Sequence, residues 1–117
     1  MLLFYFIKEY LKFLIIGNGI YDVICGIILC LGYETPQTFI FEEKINYNGK
    51  LILSFCQFIV GFIRLSILFP NTLYFVVASY IFEMFYLICY ACFYKAEYIK
   101  LSITELSCVL LIILLLY

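Results

Sequence analysis

Apolar and polar positions along the chain separate into four long oily segments and three shorter interruptions. The oily segments run over 11–33, 51–69, 74–94 and 97–117, and the apolar "MLLFYFI" could extend the first one backwards. At 1.5 Å of rise per residue, about 20 residues cross a ~30 Å hydrocarbon core. The pattern therefore predicts an all-α, multi-pass integral membrane protein: one domain, folded as an antiparallel four-helix transmembrane bundle. "PNT", residues 70–72, is short enough to force a tight hairpin between the second and third helices.

The fourth helix has two readings. "SITE", Ser102 to Glu105, has capping-box form and would start a helix of only about 15 residues. A start near Ala96 makes a full span, with Lys100 and Glu105 at the water boundary, and is the expectation adopted. The charged loop 34–50, "ETPQTFIFEEKINYNGK", carries an Asn48-Gly49 turn signal. A hairpin and an interfacial flap both fit it. Lys8 and Lys12 fall on one side of the bundle, and Lys44, Lys50, Lys95 and Lys100 on the other. This leans narrowly toward the long loop facing the positive side.

Composition supports lipid as the solvent. Of 117 residues, 68% are hydrophobic and 13% charged, and the mean hydropathy is +1.15. A soluble fold of this size leaves too much surface wet to hide so much apolar area. The N-terminus is expected to be retained, because its apolar residues precede the charges and no small-residue cleavage site follows.

Composition also excludes chemistry. The net charge is −1, and no basic tract alternates with aromatics, so nucleic acid is not an expected partner. With no histidine, His-ligated haem and His-containing zinc sites cannot come from this chain alone. Phosphate-binding glycine loops and Ser–His–Asp sets are absent. The six cysteines have no metal-ligand spacing, so no metal site is expected.

The oily segments are interrupted by a few charges, and their depths agree. Counting from the face with the N-terminus and "PNT", Asp22 lies about 14 Å deep, Arg64 about 9 Å and Glu83 about 15 Å. A charge at mid-bilayer costs at least ~2.5 to 3.5 kcal/mol, a cost that pairing at a shared depth can offset. The expectation is a buried Asp22–Arg64–Glu83 cluster with Asn18, Tyr21 and Tyr80 as neighbours, and with Gly17 and Gly19 admitting a close helix. Two carboxylates against one guanidinium leave a negative charge over, to be met by a proton, another cation or a partner.

"GNGIYD" at 17–22, "GFIRL" at 61–65 and "SYIFE" at 79–83 together form a loose pattern that resembles small four-helix DoxX-like membrane proteins of unknown function. The resemblance covers roughly residues 14–94. It implies a four-helix bundle and no particular activity. "CYAC", with Cys89 and Cys92, is similar to the C-x-x-C of quinone-linked thiol oxidoreductases of the vitamin K epoxide reductase type. Those enzymes also use a second cysteine pair in an aqueous loop, and loop 34–50 contains none.

The leading functional expectation is a non-catalytic accessory or assembly subunit of a larger membrane complex. Its partners would be membrane lipids and other membrane-protein subunits. An organellar respiratory assembly, as in the mitochondrial inner membrane, or a viral or internal membrane are the candidate settings. The alternative is a bundle that binds a small hydrophobic ligand or a proton at Asp22 and Glu83. The third reading is a thiol–quinone oxidoreductase using Cys89 and Cys92. No cofactor is required, although the aromatic content suits a bound lipid or quinone.

Overall fold

The computed structural model describes residues 2–117. Among them, four helices are long and apolar enough to cross a membrane, and there is no strand. They are α1 (Leu2–Cys30), α2 (Tyr47–Leu65), α3 (Leu73–Phe93) and α4 (Tyr98–Leu116). The chain is an all-α bundle.

Each boundary has a local cause. Helix α1 stops three residues short of the expected Tyr33 because Gly32 adopts φ 88°. The amides of Gly32 and Tyr33 then bond back to the Leu29 and Ile28 carbonyls at 2.9 and 3.2 Å, a left-handed cap that only glycine forms without strain. At its other end α1 already begins at Leu2, so the leading apolar residues do join it.

Helix α2 starts four residues earlier than the oily segment does. Asn46 is extended, and its side chain accepts from the Gly49 amide at 2.7 Å, which is an N-cap. The Asn48-Gly49 turn expected from sequence is therefore overturned: both residues lie in the first turn of α2. Gly49 serves close approach instead, since a Cβ there would stand 2.7 Å from both Ile45 and the Tyr94 hydroxyl. Helix α4 starts at Tyr98, near the expected early start. Ser102 is thus inside the helix and caps nothing. Glu105 lies two turns into the helix.

Loop 34–46 is neither hairpin nor flap. A short 3₁₀ turn at Thr38–Ile40 folds it back into the bundle, where Thr35, Thr38, Ile40, Phe41 and Ile45 are buried. Backbone bonds from Glu42 N to Lys95 O and from Glu97 N to Ile40 O, both 2.7 Å, tie it to the α3–α4 connection. The loop is a plug for that end of the bundle.

Helices α1 and α2 make the most extensive pairing, and α3 packs on both α2 and α4. Helices α1 and α4 barely approach one another, which leaves a seam. The apolar core is split in two. One cluster lies near the plug, around Leu29, Leu53, Val60 and Leu87. The other lies near the opposite face, around Leu11, Ile15, Val76 and Leu115. On α1, α2 and α3 alike, the buried charge falls at the level between these clusters.

Candidate functional site

The polar layer is built around Arg64. Its Nη1 donates to Asp22 Oδ2 at 2.6 Å and its Nη2 to Glu83 Oε2 at 3.2 Å. Its Nε donates to Ser79 Oγ at 3.2 Å, and Cζ lies 3.8 Å from the centre of the Tyr80 ring. Asp22, Arg64 and Glu83 retain 4%, 2% and 7% of their surface. One guanidinium thus bridges two carboxylates on different helices and stacks on an aromatic face. A lysine, with a single point charge, could not do both.

Close helix packing puts the three charges within reach. A Cβ at Gly19 would stand 2.9 Å from the Gly61 carbonyl oxygen, and one at Gly61 would stand 2.9 Å from that of Gly19. These two bare positions let α1 and α2 touch backbone to backbone three residues before both Asp22 and Arg64. Gly17 does not share this role, because its Cβ position has open space around it. It faces outward, where no helix of this chain approaches.

The neighbours expected from sequence divide. Tyr80 lies beneath the guanidinium, and Asn18 Nδ2 donates to its hydroxyl at 2.9 Å. Tyr21 is not buried with them: 46% of it is exposed, and its hydroxyl turns to the Cys25 thiol one turn along α1. One residue off the Asp22 face, Tyr21 lies at the rim of the site.

Sequence reasoning missed Gln37, Gln57, Ser79, Tyr86 and Cys108. Gln37, from the plug, donates through Nε2 to Glu83 Oε1 at 3.1 Å and to the Tyr86 hydroxyl at 3.2 Å. Gln57 on α2 donates in turn to Gln37 Oε1. Cys108 on α4 donates from its thiol to Glu83 Oε2 at 3.0 Å, and the Ser79 hydroxyl donates a hydrogen bond to the Val76 carbonyl at 2.6 Å. The polar residues inside otherwise apolar helices, Gln57 and Ser79, were the readable signal. Nothing in the local pattern marks Gln37 or Cys108.

A cavity of about 250 Å³ borders the cluster, lined among others by Asn18, Asp22, Glu83, Cys108 and Leu111. Its α1 and α4 edges, Tyr21 and Ser107, are exposed, so it opens sideways through the α1–α4 seam. A second hollow of about 300 Å³, between the plug and Lys100, shares Gln37 and Thr104 with it. Within the cavity wall, Asp22 Oδ2 accepts from Arg64. Glu105 adds a third carboxylate, close enough to feel the charge of Glu83, and its buried Oε1 has no partner among the described residues. The cavity wall thus holds two carboxylates, one guanidinium and the Tyr21 and Tyr80 rings.

Cys89 and Cys92 lie elsewhere, toward the loop end of α3. Both thiols are free; Cys92 is exposed and Cys89 half-buried. The nearest hollow to Cys89 is lined by Asn46, Asn48, Tyr90 and Tyr94, and it is separate from the charge cluster. Comparison with family models, with curated proteins and with solved structures gave no match.

Proposed function

We propose that the chain is a membrane-embedded binding protein whose cavity takes a small amphiphile with a protonated amine head. The observation that carries this reading is the Asp22 carboxylate: almost wholly buried, bonded to Arg64 through Oδ2, and part of the wall of a cavity. A carboxylate in a low-dielectric site is strengthened by each cation beside it, and a bound ammonium would add one through a charge-assisted hydrogen bond. The charge count agrees, since Asp22 and Glu83 share a single Arg64 and Glu105 lies close enough to Glu83 to feel its charge. The seam suits a molecule that partitions into lipid and enters from the side, and the Tyr80 and Tyr21 rings offer faces for a cation.

Dodecylamine, dodecanol and dodecanoate share a tail and differ in head charge, so they test the reading directly. Dodecylamine is expected to raise the unfolding temperature of the protein in mild detergent, as any ligand selective for the folded state must, whereas the other two are not. Asp22→Asn should abolish the shift. An equal shift from dodecanol, or a full shift in Asp22→Asn, would refute the proposal.

A second reading, the accessory subunit, is favoured by a different observation. Helix α4 buries only Cys108 and Leu115, and Leu2, Leu3, Tyr5 and Phe6 of α1 are all largely exposed. So much uncovered surface suits neighbouring subunits as well as lipid. In that case the chain would belong to an organellar respiratory assembly or a viral or internal membrane. Native purification separates the two: an accessory subunit comigrates with a large assembly, and a binding protein does not.

A further inference from the structure

The α1–α4 seam ends in a groove at the face opposite the plug. The groove holds about 100 Å³ and is lined by Lys8, Leu11, Lys12 and Ile15 of α1, by Ile67 and Leu73 around the α2–α3 hairpin, and by Leu114 and Leu115 of α4. The spacing of the α1 residues puts both lysines on one helical face above Leu11 and Ile15. Helix α3 starts and helix α4 ends at this level, so the groove lies where hydrocarbon gives way to headgroups. Exposed Tyr10 and Tyr74 mark the same boundary, as interfacial aromatics do.

Charge bookkeeping distinguishes this face from the other. At the plug end, Lys44, Lys50, Lys95 and Lys100 face Glu34, Glu42, Glu43 and Glu97. Three of those lysines are paired, Lys50 with Glu34 at 2.8 Å, Lys95 with Glu42 at 3.3 Å and Lys100 with Glu97 at 3.2 Å. At the groove, Lys8 and Lys12 flank Glu9 in the sequence. It touches Lys12 at a loose 3.9 Å, and Lys8 has no polar partner among the described residues.

We propose that this groove is a binding site for an anionic phospholipid. The phosphate is held between the Lys8 and Lys12 ammonium groups, and the first part of one acyl chain lies on Leu11, Ile15, Leu114 and Leu115. Lysine stems long enough to snorkel toward the headgroups let both charges reach one phosphate. The occupant is a phospholipid rather than a soluble anion because the floor beneath the charges is wholly apolar. The site is independent of the Asp22 cavity and holds a ligand of opposite charge.

The test is native mass spectrometry of the whole chain released from detergent containing equal phosphatidylglycerol and phosphatidylcholine. Phosphatidylglycerol should be retained about tenfold or more over phosphatidylcholine, in keeping with two lysines acting near an anionic headgroup. Lys8→Ala with Lys12→Ala should reduce that ratio to near one, and Lys8→Arg with Lys12→Arg should preserve it. Lys95→Ala with Lys100→Ala, on the opposite face, should leave it unchanged. Equal retention of the two lipids by the unaltered protein overturns the proposal without any variant. Equal loss from both alanine pairs overturns it as well, because the preference would then reflect overall charge rather than this groove.

Discussion

Gln37 and Glu83 meet at 3.1 Å across 46 positions of sequence. The first belongs to a loop between helices and the second to the middle of α3. A loop amide therefore reaches a carboxylate deep in the bundle, and the plug and the charge cluster form one hydrogen-bonded unit. Removing the amide takes a donor from Glu83 and Tyr86 and an acceptor from Gln57 at once.

Gln37→Ala should thus cost about 1–3 kcal/mol, the range for leaving a buried polar group unmet. Its effect should be concentrated in the plug. Hydrogen exchange should quicken at the amides of Phe41, Glu42 and Glu97, while the middle of α2 stays protected. Uniform loss of protection along the chain would show that the plug does not open as a unit.

The bridging role of Arg64 makes single and combined variants diverge. Arg64→Met leaves Asp22 and Glu83 buried without a cation and should destabilise the bundle by about 3–5 kcal/mol. Adding Asp22→Asn and Glu83→Gln removes the stranded charges and should restore most of that loss. Denaturant unfolding in mixed micelles measures both. A triple variant as unstable as the single one would mean that Arg64 acts by shape rather than by charge.

The two glycines of "GNG" should behave differently. Gly19→Val pushes a branched side chain against the Gly61 carbonyl and Leu65 and should cost about 1–3 kcal/mol, as overpacking does. Gly17→Ala meets open space and should be neutral or stabilising by up to about 1 kcal/mol, because alanine orders more easily in a helix. Thermal unfolding of the pair decides the point: a Gly17→Ala variant as damaged as Gly19→Val would place α2 on the wrong face of α1.

At the water face, the hydrogen bond from Lys50 and then that from Thr38 hold the Glu34 carboxyl below its ordinary range. A carboxyl depressed by folding binds its proton more readily in the unfolded chain. Its contribution is therefore complete above about pH 4.3, the unfolded value, and fades as pH falls through the folded one. The ion pair is partly exposed, so the effect is small. Glu34→Gln should flatten the acid limb of a stability–pH curve below about pH 4.3. An unchanged limb would assign that slope to other carboxylates.

The distance between sequence and structure differs by element. Four helices were legible because lipid imposes a length and a hydropathy on each span, and Asp22, Arg64 and Glu83 were legible because charges at one depth need each other. Loop 34–46 was not. Its charges and turn signal fitted a hairpin and an interfacial flap alike, yet Thr35, Thr38, Ile40, Phe41 and Ile45 are buried. Asn48-Gly49 misled because the Asn46 cap competes for the same backbone, and a helix already following it wins.

The sequence by itself determined the class of solvent, the number of spans and the depth of the charges, since all three follow from local composition and the rise of a helix. Only the tertiary structure decided which face of each helix turns inward, that Gly19 rather than Gly17 meets its partner, and that Gln37 and Cys108 complete the Glu83 carboxylate. Those outcomes depend on helix rotation and on contacts between distant residues. The free energy of such contacts is set by what the bundle excludes, not by what any one segment contains.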